Sequence, residues 1–258
     1  MTVRKKALLP LLAAALTVAF AASSARAETL RFVTEELPPF SFEKNGKAGG
    51  PLAEIVAEAC KALELSCPIQ VLPWRRSLAL AEAGDAEGIF TVLTTSAERR
   101  QKFFVMPALI HAEYSFFANE KSDFIYQKPA DIRNVRVIAY GPSGTSITLE
   151  GLVRQSGGSQ PVEVEVSNLM ALKKLAADRY DGGVVLMNRD VASYILRSEK
   201  LPGIKMVGDA VPLEYSIGLS RKSVSEGLAM RFAAALNRLK ETGRVKLILA
   251  AYDMRPAY

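Results

Sequence analysis

The feature that most constrains this chain is an alternation of strand and helix patterns that begins at Leu30 and runs almost to the C-terminus. Leu30–Thr34 is a short apolar and β-branched run, the pattern of a buried strand. Glu35-Glu36-Leu37-Pro38-Pro39-Phe40 follows, and the two prolines, with fixed φ and no N–H to donate, take the chain out of the sheet. Pro51–Leu65 places Leu52, Ile55, Val56, Ala59 and Leu63 on one helical face, with Pro51 suited to the first turn. Ile69–Leu72 predicts a strand, Trp74–Ala83 a helix and Gly88–Leu93 a strand, after which Ser96 caps a short helix carrying Arg99 and Arg100. This rhythm predicts a mostly parallel sheet covered by helices on both faces.

An extended, aromatic-rich segment, His111–Asn119, and a polar stretch, Glu120–Lys128, interrupt the rhythm before it restarts. Val135–Ala139, Val162–Val166 and Gly183–Leu186 read as strands, Asn168–Ala177 and Asp190–Leu196 as helices, and Gly141–Ser146 as a tight loop opening another helix. Tyr215–Leu219 is extended again, and Ser225–Tyr252 reads as two helices broken at Gly243. Two α/β units separated by extended segments predict two lobes with a cleft between them, and sites in such sheets gather at the carboxyl ends of strands.

Met1–Ala27 carries Arg4, Lys5 and Lys6, then the apolar run Ala7–Ala22, then Ala25-Arg26-Ala27, the pattern of a secretory signal peptide. A membrane anchor is the alternative, but the run is short and holds Pro10. The expected location is therefore the periplasm. Four of the 33 basic residues fall in this segment, so the 231 residues from Glu28 on carry 29 basic against 27 acidic side chains. That near-neutral balance gives no support for a nucleic-acid partner. Cys60 and Cys67, the only cysteines, read as one local disulfide in an oxidising compartment, against the alternative of two buried free thiols.

Nothing in the chain assembles into a catalytic pattern. His111 is the only histidine and lies in an extended apolar segment. Gly141-Pro142-Ser143-Gly144-Thr145 resembles a nucleophile elbow but has Thr145 where that motif needs glycine. No phosphate loop or dinucleotide fingerprint appears, and no cofactor or metal is expected. Binding is better supported. Gly144-Thr145-Ser146 sits where a loop enters a helix, so it is either an anion site or an ordinary N-cap. Arg99, with Thr91, Thr94 and Ser96 nearby, is either a carboxylate fork or a solvated charge. Trp74, at a strand end after Pro73, is either a ligand wall or a packing residue.

Together these segments resemble the amino-acid class of periplasmic solute-binding proteins that serve ABC importers, solute-binding family 3. The resemblance rests on LRFVTEELPPFSF at Leu30–Phe42, DAEGIFTVLTTSAERR at Asp85–Arg100, GPSGTS at Gly141–Ser146, DRYDGGVVLMNRDVASYIL at Asp178–Leu196 and ALNRLKETGRVKLILAAY at Ala235–Tyr252. It implies a two-lobed α/β fold, each lobe a mostly parallel sheet flanked by helices, the lobes joined by two crossover strands that close over a small ligand. The first lobe would comprise residues 28–112 and 214–258, and the second residues 113–213. The partners implied are a small-molecule ligand and an inner-membrane ABC permease, with the protein a monomer.

In the family, the arginine matching Arg99 holds a ligand carboxylate, helped by hydroxyls matching Thr94 and the loop Gly144-Thr145-Ser146, and aromatics matching Leu37 and Trp74 sandwich the side chain. This chain departs at Leu37, which is not aromatic, and at Asn188, where amino-acid binders carry an aspartate for the ammonium. Asn188 accepts a hydrogen bond but cannot neutralise charge, so either Glu35 or Glu36 supplies it or the ligand lacks an ammonium. Two alternatives stand beside import: a prephenate dehydratase-like enzyme on this scaffold, with Glu35 or Glu36 as general acid, and a soluble sensory binding protein.

Overall fold

The computed structural model describes residues 28–258, so the segment read as an export signal lies outside the described residues. The chain runs β1 (Phe32–Thr34), a hairpin of β2 (Phe42–Lys44) and β3 (Lys47–Gly49), α1 (Pro51–Ala62), β4 (Ile69–Val71), α2 (Trp74–Ala83), β5 (Gly88–Leu93), α3 (Ala97–Lys102) and β6 (Phe103–Val105). The long strand β7 (Ile110–Asn119) leads to β8 (Val137–Tyr140), α4 (Gly144–Gln155), β9 (Val162–Glu165), α5 (Asn168–Ala176), β10 (Val184–Asn188) and α6 (Arg189–Ser198). The equally continuous β11 (Ile204–Ser220) returns to α7 (Glu226–Glu241), α8 (Arg244–Ala250) and β12 (Arg255–Pro256).

The principal sheet has the order β4-β1-β5-β11-β7-β10-β8-β9. At one end β1 pairs in parallel with β4 and β5, and at the other β8 pairs in parallel with β9 and β10. Between these half-sheets β11 and β7 pair antiparallel from Ile204↔Asn119 to Tyr215↔Ile110. The expected pair of crossover strands is thus also the seam that makes two half-sheets one hydrogen-bonded sheet. Helices cover both halves, giving the two-lobed α/β architecture.

Local chemistry explains most boundaries. α2 and β5 have the expected limits, because Pro73 starts the helix and Gly84, in a left-handed conformation with φ 83°, ends it. Serines cap four helices: Ser96, Ser143, Ser167 and Ser225 each accept from a backbone N–H of the following turn. α1 ends at Ala62 rather than Leu65, where Glu64 turns to φ 57° and the chain doubles back through the Cys60–Cys67 disulfide, which forms as expected. The break at Gly243, with φ 75°, separates α7 from α8.

Four short strands, β2, β3, β6 and β12, and the first half of β11 were not anticipated. The β2–β3 hairpin turns on Asn45 and Gly46, with φ 53° and 72°, an Asn-Gly signal embedded in strands too short to show alternation. β6 is three residues laid against β11. The first half of β11 contains Gly208 and Pro212 and shows no clean period. It is a strand because β7 holds it across two register shifts.

Candidate functional site

The half-sheets face each other across a cavity of about 240 Å³ lined from both lobes and floored by the crossover strands. A wider part of the cleft, about 960 Å³, continues outward and shares Glu35, Leu37, Trp74, Tyr140 and Asn168 with the inner cavity. The strand ends open into this space as expected for such a sheet.

On the first-lobe side, Trp74 is the first residue of α2 and is only 8% exposed, so it lines the cavity while packing with Val33, Val92 and Phe103. The ring is a packing residue and a wall of the cavity at once. Arg99 projects from α3 with its guanidinium 5.9 Å from the Trp74 ring centre. One terminal nitrogen donates to Glu82 at 2.8 Å and lies 3.7 Å from Glu98. Arg99 is therefore neither solvated nor free, yet four of its five N–H donors remain for a ligand. Thr91 faces the cavity from an irregular position in β5. Val92 pairs with Ser216 and Phe90 with Ile217, which leaves Thr91 as the extra residue of a bulge, at φ 67°. A left-handed conformation is costly for a β-branched residue and, where it persists, marks a site the surrounding structure enforces.

On the second-lobe side, Gly144, Thr145, Ile147 and Thr148 form the first turns of α4. Ser143 Oγ accepts from the Thr145 N–H at 3.1 Å, and Ser146 Oγ accepts from the Ser143 N–H at 3.0 Å. The loop is thus a capping box and a cavity wall together. Gly144 lies close to the other lobe: an added Cβ would stand 2.9 Å from Leu93 Cδ1, the movable end of that side chain. Asn188 is buried at the end of β10, where its Oδ1 accepts from the N–H groups of Asp190 and Val191 and caps α6. Its amide nitrogen reaches the Tyr215 hydroxyl at 3.4 Å.

Glu35 enters the cavity from the end of β1, and its carboxylate accepts from the Tyr140 hydroxyl at 3.4 Å. Burial pushes this carboxyl up to about 8 against the opposing hydrogen bond. Tyr114 and Tyr215, from the crossover strands, are buried at the floor, and burial raises both phenols.

Of the residues expected at a site, Leu37, Trp74, Thr91, Arg99, Gly144, Thr145 and Asn188 line the inner cavity. Thr94 does not: its hydroxyl donates to Glu214 at 3.2 Å. Ser146 is committed to the α4 cap. His111 pairs in β7 against Arg255 and Glu214, outside both parts of the cleft. The tyrosines 114, 140 and 215 were missed. Among the described residues no cluster of His, Cys, Asp and Glu could hold a metal ion, and no helix is long and apolar enough to cross a membrane.

Residues 30–254 match the family of bacterial extracellular solute-binding proteins, family 3. No curated protein matches the sequence. Among solved structures, a histidine kinase sensor domain with similarity to periplasmic binding proteins is 20% identical, with a TM-score of 0.77 over 88% of this chain and 96% of that one. An ancestral arginine-binding protein bound to arginine is 20% identical, with a TM-score of 0.74 over 87% and 97%. A substrate-binding protein of an ABC uptake transporter from Streptococcus pneumoniae, with bound histidine, is 16% identical, with a TM-score of 0.73 over 87% and 92%.

Proposed function

Because this chain belongs to family 3 of the bacterial extracellular solute-binding proteins, we propose that it captures a small, polar, carboxylate-bearing solute between its lobes and delivers it to the permease of an ABC importer. The family is defined by solute binding, not by a reaction. The observation that carries the reading is the cavity of about 240 Å³, lined from both half-sheets and containing an arginine held against a tryptophan. Structures of this fold include proteins bound to arginine and to histidine, which supports an amino acid or a related compound as the solute.

On this reading Arg99 receives the carboxylate with the N–H groups that Glu82 leaves open, and the Gly144–Thr145 turn of α4 contributes donors from the other lobe. Trp74 and Leu37 flank the rest of the molecule. We place the lobe boundaries at the cross-strand pair Ala112↔Leu213, giving 28–112 with 214–258 and 113–213. Closure about that seam would bring the two walls onto the ligand. Residues 1–27 would direct the protein to the periplasm, where the disulfide persists.

Native mass spectrometry of undenatured protein, followed by a thermal-shift screen, identifies the solute. Arg99→Ala is then expected to cost roughly 2–4 kcal/mol of binding, because the carboxylate is left desolvated and unpaired. Unchanged affinity by calorimetry would remove the carboxylate assignment. A sensory role has one support, the shared fold of a kinase sensor domain. Genes for a permease and an ATPase beside this one would decide for import, and a receptor kinase gene for sensing.

A further inference from the structure

The two parts of the cleft differ in chemistry. The inner cavity holds the ionisable and hydroxyl groups described above, Thr91, Arg99 and Tyr140 among them. The wider outer part is walled by apolar side chains from both sides, Pro38, Leu72 and Pro73 from the first lobe and Val166, Tyr194 and Ile195 from the second. Its polar groups are mostly turned elsewhere. Ser167 Oγ accepts from the Met170 N–H at 3.1 Å, Ser198 Oγ donates to the Ile195 carbonyl at 3.3 Å, and Glu36 accepts from the Glu43 N–H at 2.9 Å. Glu199 is paired with Lys173 at 3.2 Å, and the side chains of Glu43 and Arg75 stand at the solvent-exposed rim. What the outer cleft offers a ligand is therefore apolar surface.

Part of that surface is bare. Val166, between β9 and the Ser167 cap of α5, is 80% exposed, and Tyr194 on α6 is 38% exposed. Apolar groups gathered in a groove and left uncovered mark a place where something binds. The two parts communicate through the residues they share, with Leu37 and Trp74 as the apolar members of the neck. The inner cavity, about 240 Å³, is smaller than the ~300–1,000 Å³ usual for a small-molecule site. The outer part adds about 960 Å³. A solute confined to the inner cavity leaves the apolar walls in water, whereas one with a polar end and an apolar end matches both parts.

We propose that the solute is amphiphilic, a carboxylate carrying an apolar acyl or alkyl chain, with its carboxylate end in the inner cavity and its chain running past Leu37 and Trp74 into the outer cleft. The inference rests on the capture reading above and adds what the solute carries besides its carboxylate. The polar end goes inward because the donors are there, and the chain goes outward because no unpaired donor or acceptor in its path is left without water by it. Each methylene that leaves water is worth about fourfold in affinity when fully buried, and less in a groove open on one side. Affinity should therefore rise about two- to fourfold per methylene until the outer cleft is filled.

The test uses the full chain and two series of probes, N-acylglycines from acetyl to octanoyl and unbranched carboxylates from propionate to octanoate. Emission of Trp74, the only tryptophan and a member of the neck, reports binding, and calorimetry gives the affinities. In at least one series affinity should climb with chain length as stated. The doubly substituted Val166→Asn, Tyr194→Ser protein changes two side chains already open to water, and its melting temperature without ligand checks the fold. It should lose about fivefold or more for the longest chain bound and less than about twofold for the shortest. If affinity is flat or falls with chain length in both series, or if no probe binds, the proposal falls. If the substitutions weaken short and long probes alike, the outer walls meet each other when the lobes close and hold no chain, and the proposal falls again. Short carboxylates that need Arg99 and gain nothing from a chain would leave the capture reading standing while ending this one. Long chains that need Val166 and Tyr194 but bind equally well in Arg99→Ala would end the carboxylate reading and, with it, the amphiphile, leaving an apolar site alone.

Discussion

Glu35→Gln should stabilise the empty protein, and more so as pH rises. The native carboxyl is held near 8 against an ordinary value of 4.5, chiefly by burial. Between those values the unfolded chain has released a proton that the folded protein keeps, so stability falls with rising pH. At about 1.4 kcal/mol per pH unit the ceiling is about 5 kcal/mol above pH 8. Water entering an open cleft should reduce that to about 2–3 kcal/mol. Glutamine keeps the shape and still accepts from Tyr140 but carries no charge to desolvate. At about 2–4 °C per kcal/mol for a chain of this size, the variant should melt about 5–10 °C above wild type at pH 8–9 and together with it at pH 4–5. Differential scanning fluorimetry in ligand-free buffers reads both curves. A difference in melting temperature that stays constant from pH 4 to pH 9 would refute the reasoning, since packing alone would then explain it.

The Cys60–Cys67 bridge closes an eight-residue loop, and replacing both cysteines with serine should cost roughly 2.5 kcal/mol on the chain-entropy argument. Two alkylated thiols in unreduced native protein would show that the bridge does not form. Gly144→Val should weaken solute binding by about 1–3 kcal/mol, because the new side chain meets Leu93 where the lobes approach. Its melting temperature without ligand should stay within about 2 °C of wild type, and equal affinities in calorimetry would show that this contact does not govern capture.

How much of this was legible in the sequence depended on what bounds each element. α2 and β5 were readable to the residue because Pro73, Gly84 and Gly88 punctuate them. Gly88 is fixed by packing as well, since an added Cβ would enter the Phe32 ring. β11 was readable only at Tyr215–Leu219, where apolar residues recur. Its first half owes its extension to β7, a partner almost a hundred residues away, and no local period records that. The same limit explains the missed tyrosines. Tyr114 and Tyr215 lie in segments expected to be extended, but which residue of a long strand sits under a cleft is set by register across three shifts.

Charge pairing was the least legible property, and it decides how the site works. The sequence placed Arg99 and Glu35 near strand ends but could not show that Arg99 meets Glu82 from a neighbouring helix while Glu35 meets only a tyrosine. A guanidinium already oriented by one carboxylate and stacked near Trp74 gives up little rotamer freedom when it takes a second carboxylate. A carboxyl that stays protonated in the empty cleft adds no unpaired charge to it. On the proposed reading, the empty site is therefore stable because neither of its poles is exposed as a bare charge. On that reading, a solute's carboxylate meets an arginine that is already aimed and still has donors to give.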